Sequence, residues 1–200
     1  MTVKEAINER RSIRKFIDRK IEKEVLIELI EAARLAPSSK NRQPWKFIVC
    51  TGNSKARLVQ AMESGIKREF IKGCRIPAFR FGLADAKNTC SVMKQAPVVI
   101  LILNTEDAPL YEEVNAEKRI NEICNTLSIG AAVEHIVLAA QEKGIGSLWV
   151  ANTCFAYEEI EDFLETKKQI AGLLVLGYYE ENPFARPRKS LEEIVEFLEA

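Results

Sequence analysis

The sequence predicts an α+β domain, a sheet packed among helices. Three observations carry this. Leu26, Leu29, Ile30 and Ala33 recur at helical spacing. Pro97–Leu103 and Ile170–Leu176 are apolar runs of strand length, as in strands buried on both faces. Helices and short strands then alternate without the regular βαβ repeat of a parallel sheet. The chain has 200 residues, 47% of them apolar and 29% charged. That suits one domain over 1–200 with a substantial core.

The elements follow in order. Thr2 and Glu5 have capping-box spacing, so a helix begins there and runs to about Arg10. Arg10–Phe16 reads as extended. A helix from about Glu22 to Leu35 ends at Pro37. Pro37–Pro44 is a polar loop, and Trp45–Cys50 a strand. Thr51–Ser54 is a turn, from which Ser54 caps a helix to about Met62. Residues 63–95 follow no clear period and read as short helices and mobile loops. After the strand at Pro97–Leu103, a long helix spans about Val114 to Lys143. Its second half is apolar on most sides, as in a core or a subunit interface. Gly144 and Gly146 stop it. Leu148–Val150 is a short strand, Tyr157–Glu165 a helix and Ile170–Gly177 a strand. Ser190 and Glu193 have capping-box spacing and open a last helix, Leu191–Leu198.

Composition narrows the function. Lys+Arg and Asp+Glu both total 29, which argues against nucleic acid as a partner. The two apolar runs are too short to span a membrane and the first residues lack a signal-peptide core, so a cytoplasmic protein is expected. Five cysteines, an odd number without a CxxC pair, argue against a disulfide framework or a zinc site. Cys154 has no neighbouring histidine to activate it as a nucleophile. His135, the single histidine, lacks a partner at ligand spacing and reads as a core or interface residue. No metal site is expected.

Four segments carry chemistry. Arg10, Arg11, Ser12 and Arg14 bring guanidiniums and a hydroxyl to a helix end, a set suited to gripping phosphate. Arg186 and Arg188 form a second basic cluster. Pro37, Ser38, Ser39 and Asn41 gather hydroxyls and a carboxamide between prolines, donors and acceptors that suit the mixed edge of a ring. Gly144-Ile-Gly146-Ser147 permits close backbone approach, and it follows a helix, unlike a dinucleotide fingerprint.

Together, Arg10–Arg14, Ala36–Trp45, Gly144–Trp149 and Arg186–Arg188, with the Ala96-Pro97 strand start, resemble the FMN-dependent nitroreductase family. The resemblance implies a mostly antiparallel sheet flanked by helices and an intertwined homodimer with FMN at its interface. It implies that Arg10, Arg11, Ser12 and Arg14 hold the phosphate and pyrimidine edge, and that Arg186 and Arg188 close on the phosphate. Pro37, Ser38, Ser39 and Asn41 would line the flavin, some from the other subunit, with Gly146 and Ser147 near the isoalloxazine. NADH or NADPH would be co-substrate for reducing nitroaromatics, quinones or a related small substrate by ping-pong kinetics. No catalytic side chain is required, because the hydride chemistry is the cofactor's. Alternatives are dehalogenation or dehydrogenation on the same fold, or a flavin-binding protein without turnover. By composition alone, residues 63–95 read as a variable lid, whose Phe70, Phe79, Arg80 and Phe81 would favour an acidic or aromatic substrate, with Arg75 and Arg80 acting on anionic ones.

Overall fold

The computed structural model describes residues 1–198. At its centre is a four-stranded, wholly antiparallel sheet of β1 (Trp45–Thr51), β2 (Val98–Asn104), β3 (Gly146–Val150) and β4 (Gln169–Gly177), in the order β1-β2-β4-β3. Around it lie α1 (Val3–Glu9), α2 (Lys23–Arg34), α3 (Gly52–Lys72), α4 (Leu83–Gln95), α5 (Ala116–Glu142) and α6 (Tyr157–Leu164).

The sheet organises two cores because its central strands have no polar face. All seven residues of β2 are buried. Alternate side chains point to opposite faces, so Val99, Leu101 and Leu103 join one cluster while Val98, Ile100 and Ile102 join the other. On β4, Leu173 and Val175 face the first cluster and Leu174 and Leu176 the second. Helices α3, α4 and α6 cover the first face; α2 and α5 cover the second. Each buried Val, Leu or Ile contributes about 1.5–3 kcal/mol relative to exposure. His135 helps join the helices of the second layer. Its Nδ1 lies 3.0 Å from the Ala32 carbonyl, so that nitrogen carries the proton.

The capping box on α1 is formed: Thr2 N–H donates to Glu5 Oε2 at 2.6 Å, and Glu5 N–H to Thr2 Oγ1 at 3.2 Å. Among the described residues, α5 alone is long and apolar enough to cross a membrane by length and composition. It lies against α2 and packs Ala132, Val133, Ile136 and Val137 into the second core.

Two expectations need correction. Residues 63–95 are mostly regular. Helix α3 starts at Gly52, earlier than expected, and continues to Lys72; a 3-10 turn at Pro77–Gly82 leads into α4. Its polar stretch is helical because Glu69, 2% exposed, is paired with Arg68 and accepts the Arg75 N–H at 2.7 Å. The last helix, Leu191–Leu198, does not form. A single turn stands there, with Ile194 and Val195 N–H both donating to the Leu191 carbonyl. So short a helix needs a surface to pack on. Leu191, Ile194 and Phe197 instead face solvent, Phe197 at 86% exposure.

Gly65 fixes the crossing of α3 over the turn before α6. A Cβ there would lie 2.4 Å from Ala156 Cα and 2.5 Å from its Cβ. Gly65→Ala is therefore expected to cost about 1–3 kcal/mol, read as a lower denaturant midpoint with unchanged slope. An unchanged midpoint would contradict this packing.

Candidate functional site

The site begins with a short extended segment laid against a sheet edge. Ser12 pairs in parallel with Ser147 on β3, and Ile13 N–H donates to the Ser147 carbonyl at 2.9 Å. Ile13 is 1% exposed and fills the space that Gly146 leaves open. A Cβ on Gly146 would stand 2.7 Å from both Ile13 Cγ1 and Tyr179 Cδ1. Alternation along the extended segment then turns Ser12 and Arg14 away from the side taken by Ile13.

The outward residues line a cavity of about 720 Å³. Arg10, Arg11, Ser12 and Arg14 form one wall, and Phe184, Arg186 and Arg188 the other. The two basic clusters, remote in sequence, meet here. Three hydrogen bonds hold the returning chain. Ile17 N–H donates to the Tyr178 carbonyl at 2.9 Å, and Lys15 N–H to Glu181 Oε1 at 3.0 Å. Arg14 N–H donates to the same oxygen.

Five arginines line this cavity and no carboxylate does. Arg11 donates to the Asn8 carbonyl at 2.7 Å, Arg14 to the Ser12 carbonyl at 3.2 Å, and Arg188 to the Arg186 carbonyl at 3.3 Å. Arg10 approaches Glu134 only to 3.9 Å. Carbonyls satisfy donors without cancelling charge, so the cavity is suited to a dianion such as a phosphate monoester.

Arg14 also borders a second cavity, of about 350 Å³. Leu148, Trp149, Val150 and Asn152 provide one side of it, Phe79, Phe81 and Phe155 its aromatic surface, and Asp85, Asn88, Thr89 and Val92 a face of α4. Asn152 Nδ2 donates to Thr89 Oγ1 at 3.1 Å, while its Oδ1 is buried without a partner. A basic cavity and an aromatic-walled cavity therefore join at one arginine.

The remaining predicted residues lie elsewhere. Gly146 and Ser147 line neither cavity; they seat the segment that carries the arginines. Pro37, Ser38, Ser39 and Asn41 also line neither, and are tied to α5 through Ser39 N–H donating to Ser128 Oγ at 3.1 Å. Their loop is strained. Lys40, Asn41 and Gln43 have φ of 53°, 54° and 50°, values rare outside glycine and concentrated at functional sites.

The lid expectation is corrected in part. Arg75 pairs with Glu158 and lies 3.5 Å over the Tyr111 ring, so it does not face the pocket. Arg80 does not line it either, whereas Phe79 and Phe81 do. Sequence reasoning missed Asn152, Trp149 and the α4 residues. Asp85, Asn88, Thr89 and Val92 have the i, i+3, i+4, i+7 spacing of one helix face, a signal usable once α4 is recognised.

Cys154 borders the second cavity, and burial pushes its thiol pKa up. Its reactive thiolate is correspondingly scarce at neutral pH. Iodoacetamide at pH 7.5 should label Cys154 much more slowly in the native than in the unfolded protein, followed by peptide mass spectrometry. Equal rates would contradict the assignment.

Comparison with known proteins agrees with this architecture. The model of the Nitroreductase family matches residues 7–178. A Bacillus subtilis (strain 168) protein, named provisionally as an NAD(P)H nitroreductase, is 26% identical, with 96% of this chain and 91% of that protein covered. The iodotyrosine deiodinase of Thermotoga neapolitana is 25% identical, with 91% of each chain covered. The FMN-dependent nitroreductase of Mycobacterium smegmatis, solved with NADPH, superposes with a TM-score of 0.76 at 20% identity, covering 98% of this chain and 97% of that one. The match over nearly the whole chain, on the fold described above, establishes that this protein belongs to the Nitroreductase family.

Proposed function

We propose that the protein is an FMN-dependent oxidoreductase that takes hydride from NAD(P)H and reduces a nitroaromatic, a quinone or a related small oxidised compound. The observation that carries this reading is the arginine cavity without carboxylates, which shares Arg14 with an aromatic-walled pocket. FMN, when bound, supplies the two-electron relay between the co-substrate and the oxidant.

The chain's own residues bind, orient and exclude water. Arg10, Arg11, Arg14, Arg186 and Arg188 hold the phosphate, with Ser12 as a neutral donor. Ile13 against Gly146 fixes these groups to β3. Asn88, Thr89 and Asn152 offer hydrogen bonds at the ring's polar edge. Phe79, Phe81 and Phe155 give apolar walls on which a planar substrate stacks. No residue need act as general acid or base, which suits a pocket whose one thiol is held neutral by burial.

The working unit in this reading is a homodimer. Ile120, Ile123 and Leu127 form an exposed apolar stripe on α5 at spacings of three and four. The arm after β4 exposes Phe184, at 96%, together with Leu191 and Ile194. The strained Pro37–Asn41 loop stands apart from the arginine cavity of its own chain. It has a role at the ring if a second copy presents it across the interface, as the partner's Asn41.

Purified protein should be yellow, release FMN and oxidise NAD(P)H with a nitroaromatic or quinone in ping-pong fashion. Flavin without turnover would support a binding protein instead. The deiodinase relative suggests a second reading on the same site, reductive dehalogenation, which halide release from an iodophenol would identify. For the phosphate grip, Arg10→Ala and Arg188→Ala should each weaken FMN binding by about 1.5–3 kcal/mol in a fluorescence titration. Full flavin content in both variants would contradict this placement.

A further inference from the structure

The aromatic-walled pocket has a charge asymmetry that the resemblance does not supply. Of its lining residues, only Arg14 and Asp85 carry formal charge. Arg14 also borders the arginine cavity, and a phosphate there would engage its charge. Asp85 is then the charge left facing the substrate. It stands in the first turn of α4, exposed, and its carboxylate has one weak contact, Asn152 Nδ2 at 3.5 Å from Oδ2.

Two polar side chains stand beside Asp85 and are fixed by their own bonds. Thr89 Oγ1 donates its proton to the Asp85 carbonyl at 3.0 Å and accepts from Asn152 Nδ2. Turning the Asn152 amide over would set Oδ1 against the Asp85 carboxylate and against a hydroxyl whose proton is already committed. The amide therefore keeps its orientation, and its buried Oδ1 remains an acceptor without a donor. This corner presents the Asp85 carboxylate beside Asn152 and Thr89, flanked by Phe79, Phe81 and Phe155.

We propose that Asp85 is a specificity-determining residue, and that the pocket prefers planar oxidants bearing a positive charge or an N–H donor over anionic ones. The inference rests on the flavin reading of the site and reverses the anionic preference expected from Arg75 and Arg80. An ammonium group on an aromatic substrate gains an opposite charge and carboxylate acceptors from Asp85. A carboxylate in the same place meets like charge.

The test uses the holoprotein at fixed ionic strength with three probes of similar size: 4-nitrobenzylamine, 4-nitrobenzyl alcohol and 4-nitrophenylacetate. The expected kcat/KM order is ammonium, alcohol, carboxylate. The ends should differ about tenfold, equivalent to about 1.4 kcal/mol, mainly in KM. Asp85→Asn should bring the ammonium-to-carboxylate ratio close to one, and Asp85→Glu should retain it. Flavin content is read separately from the visible spectrum. A wild-type protein that reduces the alcohol but has the same ratio as Asp85→Asn overturns this inference and leaves the flavin reading intact. Loss of flavin from Asp85→Asn also overturns it, by making Asp85 a cofactor contact. A protein without flavin or turnover of any probe overturns both.

Discussion

The contact on which the rest of the site depends is the seating of Ile13 against Gly146. It closes an N-terminal segment onto the edge strand β3 through one bridge, Ser12 to Ser147, and one buried side chain. A larger residue at 146 would hold the segment off the sheet, because both Ile13 and Tyr179 already occupy the space. With the segment in place, Arg14 borders both cavities, and the returning chain brings Arg186 and Arg188 opposite Arg10 and Arg11. The charge is concentrated by backbone geometry, and carbonyls rather than carboxylates occupy the guanidiniums. Such a site keeps its attraction for an anion, as a set of surface ion pairs would not.

The two-faced sheet gives this edge its rigidity. β2 and β4 are buried on both sides, so β3 is paired to a strand that cannot shift without breaking two cores. Helix α5 then serves two purposes. One side packs in the second core, while Ile120, Ile123 and Leu127 remain outside it. In the proposed homodimer, the apolar stripe, the apolar C-terminal arm and the strained polar loop would all face a second copy of the chain.

Much of this was readable from local patterns. The capping box of Thr2 and Glu5 and the unbroken apolar strand β2 are decided within a few residues, so sequence reasoning reached them. The second half of α3 was hidden because its polarity misleads. Glu69 is buried as an ion pair, an arrangement completed by Arg68 and the Arg75 backbone. The last helix was overcalled because a capping pattern was present without a surface to pack on; Ser190 N–H does donate to Glu193 Oε2 at 2.8 Å, yet one turn is all that forms. Each arginine cluster was visible as a pattern, their convergence across more than 170 residues followed only from the family resemblance, and one cavity is lined by both. Asp85 and Asn152 meet only through the fold, 67 positions apart, and had no local signature.

The central claim is that two copies of this chain form the flavin site together. Native mass spectrometry of the flavin-loaded protein tests it most directly. The account predicts two 22.6 kDa chains carrying two FMN molecules, with flavin released when the pair separates. A single chain that retains FMN would contradict it.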